Sequence, residues 1–431
     1  MTRVTGTARI TRLGGIYVLL VATFVLALTA VYALPQQSIP SHLTESVAQL
    51  RAETPFPLVR TRAYMLDDYT DALMLDTTFR QASDSPLFAA MASTKELSAS
   101  GSTVDALAQT ATGVRSKPSH YSYYWSGYQV VLRPLVILFN YAQIRLINLI
   151  ALLLLSGLVL FVLGAVIGWK GVASFAAALL ACGFFIVPLS LQYSNMTYLM
   201  LLSMLAVLFA LKRRSFERFD WEIFFVVGML AAFFDLLTAP LLTLGIPLAI
   251  ALIARSKSSS RSRLQFQLAY AATASGLWGL GYVTSWGAKW VIGQAALRED
   301  VWGSAVKQIF FRAGLSDQGA SRGQAIFATF FQLFPMSLAG SLRVGEALGM
   351  SVLAVLAIVV LGFLVLRRAH PTLDRDAAVL LVIPLPYLWY LVASNHSLAH
   401  MAFTYRIQAI AVFALFYVAL CMSEAIFNVA T

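Results

Sequence analysis

The sequence predicts an all-α, polytopic membrane protein, and three observations carry that expectation. The 431 residues are 59% hydrophobic and only 12% charged, whereas a soluble domain carries about 25% charged residues, so most of the surface must meet lipid. Several runs of roughly 17 or more apolar residues are long enough to cross a hydrocarbon core of about 30 Å as helices. Lys and Arg crowd the short segments between those runs, as cytoplasmic loops require. This placement explains the formal charge of +11 as a topology signal, and it removes nucleic acid as the expected partner. Cys182 and Cys421 fall in distant apolar runs and read as packed thiols, with no disulfide or metal role.

Taken in order, residues 1–34 read as a cytoplasmic N-terminus and a first span. The apolar stretch Gly14–Leu34 exceeds the roughly 7–15 residues of a secretory apolar region, so it is expected to be retained. Arg3, Arg9 and Arg12 precede it and set its orientation. Residues 35–128 form a long first outer loop, expected to carry short amphipathic helices. Residues 129–431 supply the remaining bundle. Span two is expected at about Asn148–Trp169 and span three at about Val172–Leu189. A short QYSN turn at 192–195 then leads to span four, about Met196–Leu211, and to the basic KRRSFER loop. The run Ile223–Ala254 would be about 48 Å long as one helix, too long for the core. It also lies between two basic loops, KRRSFER and RSKSSSRSR. It is therefore read as two spans with a turn at FFDLLTAP, where Pro240 lacks a helical donor. That turn places Asp235 at the outer face. The next span, about Leu268–Thr284, is expected to continue as helix through SWGAKWVIGQ into an outer loop of about 285–348. The amphipathic stretch AIFATFFQLFPMSL in that loop is too short to cross. Spans eight (about Ser351–Leu366), nine (about Ala377–Val392) and ten (Ile407–Met422) complete about ten spans with both termini cytoplasmic.

Sorted by side, the ionisable residues gather at the outer face: Asp67, Asp68, Asp71, Asp235, Lys289, Arg312, His396, His400 and Arg406. A transport path would place such groups near mid-span, so the asymmetry favours a site at the outer interface. The segment LDDYTDALMLD at 66–76 holds four carboxylates, Asp67, Asp68, Asp71 and Asp76. On a helix, Asp67, Asp71 and loosely Asp68 share a face, and like charges that close raise at least one pKa. Such an arrangement fits a general base or a metal ligand; the plainer reading is Asp67 as a helix cap. The segment HYSYYWSGYQVVLRPLVILF at 120–139 supplies Tyr124, Trp125 and Tyr128, either as an interfacial aromatic belt or as faces for sugar rings. Its Arg133 could hold a phosphate at headgroup level. In SNHSLAHMAFTYR at 394–406, His396 and His400 stand one helical turn apart. No third ligand accompanies them, so contact with a polar or anionic substrate is favoured over zinc. Arg406 enters a span and needs an anionic partner, which a lipid-linked phosphate would supply. Lys289 and Arg312 fit the same task or contact with lipid headgroups. Asn195-Met196-Thr197 matches a glycosylation sequon but abuts a span.

A first span, a long outer loop opening on tandem acidic residues, and many further spans resemble the C-type (GT-C) membrane glycosyltransferases. DDYTDALM, YYWSGYQVVLRPL and SNHSLAHMAFTYR together look like a set found in poorly characterised bacterial members. Ser126 stands where the middle motif would be expected to carry His. The resemblance implies sugar transfer at the outer face of a bacterial plasma membrane. The donor would be a polyprenyl-phosphate-linked sugar and the acceptor a hydroxyl of a cell-envelope glycan or glycolipid. It implies Asp67 or Asp68 as general base, or the pair as seat of a divalent cation (Mg or Mn), because members of the superfamily differ in metal dependence. Asp71, Tyr124, Trp125, Tyr128, Arg133, Asp235, Lys289, Arg312, His396, His400 and Arg406 would then bind substrate, with the arginines and lysine stabilising the departing phosphate. Direct attack would invert the anomeric centre. Two other readings stay open: a ligase or polymerase of lipid-linked glycans working through Arg and His, and a transporter of lipid-linked sugars.

Overall fold

The computed structural model describes residues 6–34, 41–59, 64–79, 85–114, 117–257, 264–315, 321–331, 362 and 377–430. The all-α expectation holds for the bundle. Helix α1 spans Gly6–Tyr32 and is followed by four short helices, α2 (Ser41–Glu53), α3 (Asp68–Phe79), α4 (Pro86–Ala92) and α5 (Thr103–Thr112). Local chemistry fixes their ends. Ser85 caps α4 with Pro86 at its first position, Ser102 caps α5, and Gly113 closes α5 at φ 71°, the left-handed conformation that glycine adopts without a Cβ clash. A two-stranded antiparallel ribbon, absent from the sequence expectation, interrupts this all-helical segment. Strand β1 (Thr94–Leu97) pairs with β2 (Lys117–His120) in a register that sets Thr94 opposite His120.

The bundle continues through α6 (Gln129–Leu138), α7 (Tyr141–Val166), α8 (Trp169–Ala181), a 3-10 turn at Phe184–Leu189, α9 (Leu191–Lys212), α10 (Phe216–Phe234) and α11 (Leu242–Ser256). Then follow α12 (Leu264–Leu297), α13 (Val301–Arg312), α14 (Arg322–Phe331), a 3-10 turn at Ala377–Val382, α15 (Pro384–Val392), α16 (Ser394–Ala399), α17 (Met401–Thr404), a 3-10 turn at Tyr405–Gln408 and α18 (Ala409–Ala430). Among the described residues, four helical stretches are long and apolar enough to cross a membrane: Thr7–Tyr32, Tyr141–Val166, Leu191–Lys212 and Met401–Ala425.

Several expectations meet their outcome here. Ile223–Ala254 does break in two, with Asp235 at the C-terminus of α10. The helix through SWGAKWVIGQ is continuous over 34 residues, about 51 Å at 1.5 Å per residue. QYSN is not a turn: residues 192–195 form the start of α9, because Ser190 accepts the Tyr193 amide and caps the helix earlier. The second span begins at Tyr141, since Asn140 and Gln143 form a capping box there. Cys182 lies just beyond α8 rather than within it, and both cysteines are buried and outside any disulfide. The amphipathic stretch at 325–338 falls partly in α14, and the remainder, with span eight apart from residue 362, lies outside the described residues.

Close backbone approach holds α10 against α12. A Cβ on Gly228 would sit 2.0 Å from the Trp278 carbonyl oxygen, and one on Gly281 would sit 2.2 Å from that of Phe225. Small residues at such crossings allow helices to meet backbone to backbone in lipid. Near the N-terminal ends of α1 and α10, Arg12 pairs with Glu222 at 2.7 Å, and Arg9 lies 3.4 Å from Asp220.

Candidate functional site

The acidic segment folds as helix α3, and its four aspartates take four different roles. Asp67 is the cap: its Oδ1 accepts the Thr70 amide at 3.0 Å and its Oδ2 the Thr70 hydroxyl at 2.8 Å. Asp68 Oδ1 accepts from Arg145 Nη2 at 2.8 Å, and the other arm of Arg145 reaches Glu53 at 2.6 Å. Asp71 takes four donors, the Tyr141 hydroxyl at 2.6 Å, the Ser190 hydroxyl at 3.1 Å and the Leu191 and Gln192 amides at 2.8 and 3.0 Å. It thus caps α9 from another helix, where carboxylates are favoured. Asp76 accepts the Glu96 amide at 2.8 Å and the Thr110 hydroxyl, tying β1 and α5 to α3.

These contacts separate one aspartate from the rest. Among the described residues, only the Asp67 carboxylate of the four is bound solely within its own helical turn. Burial raises its pKa to about 6, opposed by the Thr70 hydrogen bonds and aided by the Asp71 charge. Burial, then the Asp71 charge, also lifts Asp68, and burial lifts Asp71 despite its donors. The Tyr141 hydroxyl lies 3.4 Å from Asp68 while bonded to Asp71, so the three carboxylates form one electrostatic unit.

The distal residues approach this unit through Tyr193. Its hydroxyl donates to the Met65 carbonyl at 2.9 Å, two residues before Asp67. The Arg406 guanidinium lies 4.4 Å from the same ring and 4.9 Å from that of Tyr405. Arg406 Nη1 donates to the Ala402 carbonyl, but Nε and Nη2 meet no acceptor among the described residues although the side chain is buried. Gly183 (φ 63°) makes room beside them: a Cβ there would sit 2.8 Å from the Tyr405 hydroxyl and 2.8 Å from the Tyr64 ring. From Tyr193 a run of rings continues to Phe403 (5.8 Å), His400 (5.0 Å) and His396 (4.6 Å).

His396 ends that run on a cation. Its Nε2 lies 2.8 Å from the Leu237 carbonyl, so Nε2 carries the proton, and Nδ1 accepts from Arg312 Nη1 at 3.4 Å. Burial, then the Arg312 charge, pushes His396 far down and His400 down to about 4, so both rings are neutral at neutral pH. Arg312 also lies 5.4 Å from the Tyr124 ring, which packs at a steep angle to the Trp286 ring with centroids 5.1 Å apart.

The remaining sequence-selected residues act as internal ties. Arg133 is not open to a phosphate: it donates to the Val31 carbonyl at 2.9 Å and to that of Thr78, over the Tyr32 ring at 4.4 Å. Trp125 donates to the Ser285 carbonyl at 2.8 Å, and the Tyr128 hydroxyl bonds that of Thr77 at 2.9 Å. Lys289 donates to the Met91 carbonyl at 2.7 Å, 5.8 Å from the Trp125 ring. Ser126 takes a left-handed conformation (φ 57°), with its hydroxyl buried.

The sequence reading missed Arg145, Glu53, Tyr141 and Tyr193. Starting the second span at Asn148 hid Arg145, although a lone arginine at the edge of an apolar run is itself a signal for a carboxylate partner.

A divalent ion fits poorly at Asp67 and Asp68. Arg145 already supplies the positive charge at Asp68, and no group of three or more His, Cys, Asp or Glu among the described residues is placed to hold a metal. Comparison with protein-family models, with curated proteins and with solved structures finds no match.

Proposed function

We propose that the chain is a membrane glycosyltransferase. It moves a sugar from a polyprenyl-phosphate-linked donor to an acceptor hydroxyl of a cell-envelope glycan or lipid, at the non-cytoplasmic face of the plasma membrane, within the ten-span layout. The observation that carries this reading is the pairing across Tyr193: a carboxylate held only by its own turn on one side, and a buried guanidinium with two unused donors on the other. Sugar transfer from a lipid phosphate needs these two groups. The acceptor hydroxyl attacks the anomeric carbon, the bond from that carbon to the phosphate oxygen breaks, and the hydroxyl proton passes to Asp67. The phosphate leaves as an anion, and Arg406 offers Nε–H and Nη2–H to its oxygens. In-line attack inverts the anomeric centre. Asp68 is then a positioning residue, fixing α3 through Arg145, and no step is routed through a metal. The test is mass spectrometry of envelope glycans from cells carrying the wild type, Asp67→Asn or no copy. Loss of the same glycan in the last two supports the proposal; full glycan in Asp67→Asn overturns it.

One contact favours a second reading. The Arg312–His396 contact, with His400 stacked behind, would suit a glycan ligase or polymerase that works through Arg and His. Retained transfer in Asp67→Asn with loss in His396→Gln selects it.

A further inference from the structure

We propose a second, carbohydrate-recognising pocket, at Asp235, Tyr282, Arg312 and Tyr124, that holds a neutral sugar through its hydroxyls. It deepens the transferase reading by giving an acceptor its place, but as a binding site it stands whether or not Asp67 is a base.

The pocket is assembled from distant segments. Asp235 ends α10, Tyr282 lies on α12, Arg312 ends α13 and Tyr124 precedes α6. Contacts join them: Arg312 lies 5.4 Å from the Tyr124 ring, Trp286 packs against both Tyr124 (5.1 Å) and Tyr282 (6.2 Å), and His396 links Arg312 to the Leu237 carbonyl, two residues beyond Asp235. Arg312 and Asp235 nevertheless do not close on each other. Asp235 Oδ1 accepts the Thr238 amide at 2.7 Å, while Oδ2, in a residue only 1% exposed, meets no hydrogen-bond partner among the described residues, and neither does the buried Tyr282 hydroxyl. A buried polar atom left unpaired is costly, so two in one place point to a ligand that completes them.

The donor set chooses the ligand class. A carboxylate oxygen that accepts, a phenol that can do either, and a guanidinium that donates match vicinal hydroxyls of a sugar ring. An ionised phosphate offers no hydroxyl proton to an acceptor oxygen at Asp235, whereas a sugar hydroxyl does. Tyr121, Tyr123 and Tyr124 pack with centroids 4.8–5.1 Å apart and Trp286 closes on Tyr124, giving the apolar faces against which a sugar stacks. His396 positions Arg312, and its bond to the Leu237 carbonyl ties it to the Asp235 turn.

The experiment uses the full chain in its own membranes, with the photoreactive residue p-benzoylphenylalanine in place of Tyr123. After irradiation, the purified protein is digested and the modified peptide examined by mass spectrometry. The expected adduct carries pentose, hexose or deoxysugar masses, and its yield falls about tenfold in Asp235→Asn and several-fold in Tyr282→Phe, as for loss of one or two hydrogen bonds to a buried group. Asn keeps the Oδ1 contact with Thr238, and monodisperse elution checks folding of both variants. An adduct unchanged in Asp67→Asn separates this site from the transfer centre. No adduct, an adduct of phospholipid fragments alone, or a sugar adduct equal in all variants overturns the pocket.

Discussion

Arg145 Nη2 donates to Asp68 Oδ1 across 2.8 Å, joining the start of α7 to the start of α3. Its other arm holds Glu53 at the end of α2, so one guanidinium fixes three helices. Asp68 is fully buried, and breaking such a pair by removing one partner leaves an uncompensated charge, at a cost of about 3–5 kcal/mol. Arg145→Gln is therefore expected to lower the thermal midpoint markedly, and Arg145→Lys less, because it keeps the charge but loses the fork. Thermal unfolding in detergent checks this; a midpoint unchanged in Arg145→Gln would remove Asp68 from the frame and return it to the list of bases.

Asp67→Asn should separate stability from activity. Asn caps a helix about as well as Asp, so the fold stays. As general base, Asp67 supplies about 10²–10⁴-fold in rate, and transfer should fall accordingly.

The sign of its pH dependence follows from a pKa raised from 3.8 to about 6 by burial. The folded state favours the neutral carboxyl, so that stabilisation is fully present below pH 3.8 and is lost as pH rises through about 6. The Asn variant should match wild type near pH 4 and exceed it in thermal midpoint above pH 6. Wild-type kcat/KM should do the reverse of a buried acid's profile, rising tenfold per unit below about pH 6 and levelling above. A flat profile from pH 5 to 8 would count against Asp67 as base.

How much of this was legible before folding depends on range. The break at Asp235 followed from apolar length, loop charge and Pro240, and the long helix through Lys289 from continuing the preceding span. The capping role of Asp67 was legible too, because a cap is read within four residues. What Asp71 and Arg145 do was not, since Asp71 binds the first amide of α9 from 120 residues away and Arg145 finds Glu53 from 92 residues away. Arg133 looked like a phosphate ligand, yet its acceptors are carbonyls near the ends of α1 and α3. No periodicity encodes such a contact. The β1–β2 ribbon is four residues per strand, too short to compete with the helical patterns around it.

Gly183→Ala tests the packing behind the site. A side chain at φ 63° costs about 1–2 kcal/mol, and its Cβ would press on the Tyr405 hydroxyl and the Tyr64 ring. Tyr405 flanks Arg406, so the strain should pass to the guanidinium. The expected result is a modest loss in thermal midpoint with a larger rise in KM for the donor than fall in kcat. Equal loss in both would mean general disruption.

Arg406 divides the transferase from a merely well-packed bundle. Its Nη1 ties it to the preceding helix α17 through the Ala402 carbonyl, and its body lies on Tyr193 and Tyr405. A structural role would be served almost as well by Gln or Met, which keep the stem, and such variants would retain transfer. If the unused Nε–H and Nη2–H instead meet the departing phosphate, removing them costs stabilisation formed only as the bond breaks. Loss of a comparable oxyanion donor lowers kcat about 10²–10³-fold. Arg406→Gln should therefore lose kcat on that scale with its midpoint nearly unchanged, or even raised, since a buried, incompletely satisfied charge is costly to keep. Arg406→Lys should recover part of the rate, because it restores the charge without the planar pair of donors. Full activity in Arg406→Gln would leave the carboxylate at Asp67 without its counterpart and would end the sugar-transfer reading.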